Sequence, residues 1–248
     1  LTGKGTLIAV IDSGIDYESP EFLDESGNTR IRYLWDQTLS AERVNQMLPA
    51  EFVEFQGSAS PPEGFLMGVE FSEYRINAAL KSREPERIVP SFDSTGHGTA
   101  VAAIAAAGGR LSGGQFMGVA PESELLVVKM GTPAPDSFPR TTELMRALTY
   151  VVNKAVALGR PLAVNLSFGN TYGSHDGTSL VERFLDNVAE IGRTVVCVGS
   201  GNEGAAGGHV AGSFGRNEGP GEMRQIELSI GNYQRTVSVQ LWKEYVDE

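Results

Sequence analysis

Apolar residues along this chain come first in short unbroken runs. The run 6–11, Thr-Leu-Ile-Ala-Val-Ile, is apolar without alternation. That suits a strand buried on both faces of a parallel sheet. Further strands are predicted at 124–130, 162–168 and 194–199, each built on an apolar stretch. Between them the period changes. Leu144, Leu148, Val151, Val152, Ala155 and Val156 recur at helical spacing and Gly159 closes the stripe, which predicts a helix over 142–158. Residues 98–109 are small and apolar and end in glycine, which predicts a helix buried among its neighbours. A third helix is predicted from about 180 to 191, with Leu180, Phe184, Val188 and Ile191 as its apolar stripe. Strand and helix thus alternate along the chain, and the fold class is α/β, a parallel sheet covered by helices.

Two stretches depart from this pattern. Residues 37–92 carry mixed charge and Pro61-Pro62, and read as a surface excursion holding one or two helices. Beyond 204 glycine dominates. Then Ile226, Leu228 and Ile230, followed by Val237, Val239 and Leu241, alternate with polar residues. Alternation predicts two antiparallel strands around Asn232 and the start of an all-β element at the C-terminal end. The expected organisation is a core over 1–208, then a glycine-rich linker and the start of an inserted β domain over 209–248. Both ends read as cuts in a longer protein.

Composition narrows the function. A formal charge of −11 argues against nucleic acid as partner. No apolar run approaches the length of a membrane span, so no membrane partner is expected. The single cysteine excludes an internal disulfide framework. Cys197, inside the run 194–198, is expected to be a buried, inert thiol.

Candidate chemistry sits where the predicted strands end. Asp12 follows the first strand, in Val-Ile-Asp-Ser-Gly-Ile-Asp. His97 opens the small-residue helix, in Ser-Thr-Gly-His-Gly-Thr-Ala-Val-Ala. Asn202 follows the last α/β strand, in Gly-Ser-Gly-Asn-Glu-Gly. Ligands of open α/β sheets bind outside the carboxyl ends of strands. Taken singly, each residue has a plain structural reading as a turn or helix-entry residue. The flanks decide otherwise.

Those motifs, with Asn-Leu-Ser-Phe-Gly between the second and third, resemble the subtilisin-like serine proteases (subtilases, peptidase family S8) in sequence and order. The resemblance implies that Asp12 orients His97, that His97 is the general base and then the general acid, and that the Asn202 amide lines the oxyanion hole. It further implies that Ser167, Phe168 and Gly169, with Gly199, Ser200 and Gly201, bind an extended polypeptide substrate. A pro-segment and a downstream nucleophile-bearing segment are the other partners it implies. The all-β insert and residues 167–180 look similar to the clostridial Csp-type branch, which implies a bacterial protein, extracytoplasmic or spore-associated. Subtilases often hold calcium. Glu21 matches one carboxylate position, but the loop 108–116 has no asparagine, so no metal ligand is assigned.

Gly177-Thr178-Ser179 has the wording of a nucleophile motif, but Ser179 precedes Asn202, and family order places the serine last. Ser179 and Glu182 instead fit a capping box. The serines after Asn202 are Ser213, Ser229 and Ser238, and none opens a small-residue helix. The nucleophile is therefore expected beyond Glu248, and this segment alone is expected to be inactive. The alternative reading is a catalytically dead subtilase kept for binding or regulation. Residues 199–204 also match the G-x-G-x-x-G dinucleotide fingerprint, but the glycine-rich 205–215 is no amphipathic helix to receive a pyrophosphate.

Overall fold

A computed structural model describes residues 1–131, 141–167, 173–202, 204, 207–212, 223, 225–233 and 235–242. The strands are β1 (Leu7–Asp12), β2 (Ile31–Asp36), β3 (Val69–Ser72), β4 (Glu124–Lys129), β5 (Leu162–Leu166) and β6 (Thr194–Val198). They form one sheet in the order β3-β2-β4-β1-β5-β6. All neighbours run parallel except β3, which lies antiparallel to β2. The expected α/β architecture is present, with this antiparallel edge as a correction. The excursion after residue 36 holds β3 and four short helices, α1 (Ala41–Met47), α2 (Ala50–Gln56), α3 (Glu73–Leu80) and α4 (Pro85–Ile88).

Alternation within the strands sorts side chains to two cores. Val10, Leu125 and Val127 face one cluster with Ile15, Phe22, Leu34 and Ala102. Leu7, Ala9, Ile11, Leu126 and Val128 face the other, with Trp35, Tyr150, Val151 and Leu162. The first layer includes α5 (His97–Ala106). The second is α6 (Thr141–Leu158), which ends at Gly159 with φ 64° and buries Leu144, Leu148, Val151, Val152 and Ala155 of the expected stripe, while Val156 is exposed. No helix among the described residues is long and apolar enough to cross a membrane.

Several local expectations need correction. Helix α5 buries one face only. Gly98, Ala102 and Ala106, four residues apart, are buried, while Ile104 is 72% exposed. On α7 (Leu180–Ala189) the core-facing residues are Val181, Phe184, Leu185 and Val188, whereas Leu180 is 75% exposed. Val181 and Leu185 take the core-facing places that Leu180 and Ile191 were expected to fill, and Ile191 lies beyond the helix end and is exposed. Cys197 is exposed, not buried. It lies on β6, which has a sheet neighbour on one side only among the described residues. The expected strands over 226–242 are not formed among the described residues there, and Ile226, Leu228, Val239 and Leu241 are exposed. A two-stranded ribbon needs an apolar face to pack on, and none of the described core lies against it.

Candidate active site

Strand β1 ends on Asp12 in register with Lys129 of β4, and Lys129 is in register with Asp36 of β2. Three charged residues therefore share the carboxyl edge of the sheet. Asp36 is fully buried, accepts from Thr38 N–H (2.9 Å) and Ser91 Oγ (2.7 Å), and pairs with Lys129 Nζ at 3.4 Å. Asp12 faces the start of α5 instead.

Two glycines bring α5 to Asp12. Gly96 is the N-cap residue at φ 76°, a left-handed conformation that any side chain would strain. Gly98 is buried so close to β1 that an added Cβ would collide with the Gly14 carbonyl and lie 3.1 Å from Asp12 Cβ. His97, between them, comes within 2.7 Å of Asp12, Nδ1 to Oδ1. The Asp12 side chain is 5% exposed and that of His97 55%. Asp12 Oδ1 also accepts from Ser13 N–H at 2.7 Å. Asp12 Oδ2 is buried with no partner among the described residues. The hydrogen bond to Asp12, then the Asp12 charge, raise the His97 pKa above the ordinary histidine value; slight burial opposes them and the Asp93 charge adds to them. A buried carboxylate on Nδ1 fixes one imidazole tautomer and leaves Nε2 for proton transfer.

Asn202 stands beyond the carboxyl end of β6, exposed, after Gly201 at φ 91°. Strand β5 separates β6 from β1. At roughly 4.8 Å per strand, Asn202 follows a strand end about 10 Å from that of Asp12. Ser167 and Ser200 are exposed beyond the same sheet edge, and Gly199 N–H donates to Leu166 O at 3.0 Å. Phe168 and Gly169 lie outside the described residues. Ser13, Asp93 and Thr99 join the site through hydrogen bonds that the sequence motifs do not single out. Their signal was a cluster of short oxygen-bearing side chains around a helix whose own cap is glycine.

Ser179 is a cap. Its Oγ accepts from Glu182 N–H at 3.3 Å, and Glu182 Oε2 accepts from Ser179 N–H at 2.9 Å. This is the full reciprocal capping box of α7.

A calcium ion does not fit at Glu21. The residue is buried, its Oε2 accepts from Gly109 N–H (2.5 Å) and its Oε1 from Leu111 N–H (2.7 Å). Its carbonyl accepts from Gly108 N–H (2.9 Å) and from Arg30 (2.7 Å). Amide hydrogens on both carboxylate oxygens present positive charge where a cation would have to sit. No group of three or more His, Cys, Asp or Glu able to hold a metal occurs among the described residues.

A family model described as the subtilase family matches residues 3–239. Among solved structures, the CspB protease of Clostridium perfringens is 36% identical, with a TM-score of 0.68 over 85% of this chain and 38% of that one. Sphericase shares the fold, with a TM-score of 0.51 and 20% identity over 82% of this chain and 47% of its own. The chain therefore spans less than half the length of either structure.

Proposed function

The chain belongs to the subtilase family, and from that premise we propose that it carries the acid–base and oxyanion parts of a serine endopeptidase. The observation that carries the reading is the 2.7 Å contact between His97 Nδ1 and the buried Asp12 carboxylate. Asp12 holds the imidazole and stabilises the imidazolium. His97 Nε2 takes the proton of a serine hydroxyl as that oxygen attacks the scissile carbonyl. It then returns the proton to the leaving amine, which leaves an acyl-enzyme for water to hydrolyse. The neutral Asn202 amide donates to the oxyanion, an interaction whose loss typically costs about 100- to 1000-fold in rate, a figure taken from subtilisin itself. Backbone at Ser167–Gly169 and Gly199–Gly201 pairs with an extended polypeptide.

The nucleophile is assigned to a segment beyond Glu248. Ser179 is committed to its cap, and no later serine has a nucleophile's setting. In this reading residues 1–208 are the catalytic core, 209–248 lead into a further element, and the protein is bacterial, extracytoplasmic or spore-associated. Similarity to the clostridial CspB protease supports the assignment. A serine-directed fluorophosphonate tests it. The chain 1–248 is expected to remain unlabelled, and the longer protein to be labelled at one serine after Asn202. Labelling at Ser179 would overturn the assignment. A longer protein that folds but takes no label would favour the catalytically dead alternative.

A further inference from the structure

Helix α5 has a glycine where its cap should be, so Gly96 offers no side chain to the first turn. Three other side chains supply the caps. Thr95 Oγ1 accepts from His97 N–H (3.2 Å), Ser13 Oγ from Gly98 N–H (3.0 Å) and Asp93 Oδ2 from Thr99 N–H (2.8 Å). One of them, Ser13, belongs to the strand end that carries Asp12. The cap of the helix that bears His97 is thus also its tether to the carboxylate that holds His97.

Asp93 organises this set. Its Oδ1 accepts from Ser13 Oγ (2.7 Å), Gly96 N–H (3.0 Å) and Thr95 N–H (3.2 Å), and its Oδ2 also accepts from Thr99 Oγ1 (2.8 Å). A hydroxyl has one proton and two lone pairs. Because Ser13 gives its proton to Asp93, its lone pairs are left to accept from Gly98 N–H and from Thr95 Oγ1 (2.8 Å). Every partner of Asp93 is a donor, and each of its oxygens faces at least one backbone N–H. An asparagine would have to turn an NH2 group against one of those fixed amides. The segment leading into Asp93 is anchored as well. Ser91 donates to Asp36, and Lys129 Nζ donates to Phe92 O at 2.8 Å while lying 4.6 Å from the centre of the Phe92 ring.

We propose that Asp93 is a positioning residue for His97. Through Ser13 it fixes the height and rotation of the first turn of α5 against the end of β1, and so holds the imidazole on Asp12. The proposal rests on the reading of His97 as the general base, but its test needs no turnover, so its failure is distinguishable from failure of that reading.

The test is the titration of His97 in the 248-residue chain by nuclear magnetic resonance, its signal assigned among the 3 histidines by its loss in His97→Gln. The charged groups facing the imidazole are Asp12 and Asp93. In the unmodified chain the midpoint is expected to lie above the ordinary histidine value, and the Nδ1 proton held by Asp12 is expected to give a far-downfield resonance. Asp93→Asn is expected to lower the midpoint and remove that resonance while circular dichroism shows the fold retained. Loss of the Asp93 charge alone would also lower the midpoint, so Ser13→Ala is the deciding variant. It removes the tether without changing charge, and it stands alone if Asp93→Asn does not fold. Ser13→Ala with a lowered midpoint and a lost Nδ1 signal supports the proposal. Ser13→Ala with both unchanged overturns it, and leaves Asp93 as a charge and a helix cap only.

Discussion

Replacing Ser179 by alanine separates a cap from a nucleophile. The substitution removes the oxygen that accepts Glu182 N–H at 3.3 Å, but keeps the Ser179 backbone N–H that Glu182 Oε2 accepts at 2.9 Å. Half of the capping box survives. Loss of a serine cap costs about 0.5–2 kcal/mol. The lost bond is long, and the stranded amide sits in the first turn of a helix whose only buried residue is Val188, where water can reach it. The expected cost is therefore about 1 kcal/mol, in the lower half of that range. For a chain of this size that lowers the melting temperature by about 2–4 °C. Urea unfolding followed by circular dichroism measures it, with an unchanged slope showing that only stability moved. Ser179→Asp is expected to stay within about 0.5 kcal/mol of the unmodified chain, because aspartate caps equally well and suits the positive end of the helix dipole. A Ser179→Asp chain destabilised as much as Ser179→Ala would refute the capping assignment.

The remaining expectations follow from the same contacts. Glu21→Gln must face one of the Gly109 and Leu111 amides with an NH2 group, so it should cost about 1–3 kcal/mol, while calcium or a chelator should leave the melting temperature of the unmodified chain unchanged; a rise with calcium would contradict the bonding of Glu21. Burial raises the Asp93 pKa, but hydrogen bonds from Thr99, Ser13 and Thr95 outweigh it and bring it down to about 2. A depressed carboxyl stabilises the fold above its ordinary value and loses that contribution as pH falls through the folded one, so acid unfolding of Asp93→Ala should lack the steepening between about pH 4 and 2 seen in the unmodified chain. His97 shifts the other way, so its stabilising contribution is full below the ordinary histidine value and fades as pH rises through the raised one. As a base it must be neutral, so cleavage by the longer protein should rise over that same interval toward a neutral-to-alkaline optimum, which a pH–rate profile checks. Gly98→Ala drives a methyl into the Gly14 carbonyl and should displace α5, lowering both stability and the His97 midpoint.

The architecture was legible where strands are buried on both faces. β1 and β4 carry near-continuous apolar runs because neighbouring strands flank them and side chains pack on both faces, whereas β5 buries only Leu162, Val164 and Leu166, with Ala163 exposed and Asn165 half-buried. β2 escaped notice because Arg32 interrupts it. That arginine is accommodated by ion pairs with Glu73 (2.6 Å) and Glu124 (3.6 Å), which no local pattern announces. β3 has four residues and lies in the excursion, too short for a period to register. The small-residue run of α5 reports close approach to β1, which the structure bears out, but says nothing about its other face. Asp12 and His97 were legible as motifs, and their contact follows from the fold. The Ser13–Asp93 bond spans eighty residues, and only the meeting of β1 with α5 reveals it.

Cleavage by the longer protein carrying His97→Ala tests the acid–base assignment most directly. His97 is half exposed and makes one side-chain ion pair, so its removal should leave the melting transition in place. Members of a serine protease triad act as a unit, and in subtilisin removing the histidine costs about a millionfold in turnover. A polypeptide substrate should therefore be cleaved by the unmodified protein and left intact by His97→Ala over the same period. Cleavage retained by a folded His97→Ala protein would remove His97 from the mechanism, and with it the proposed role of Asp12.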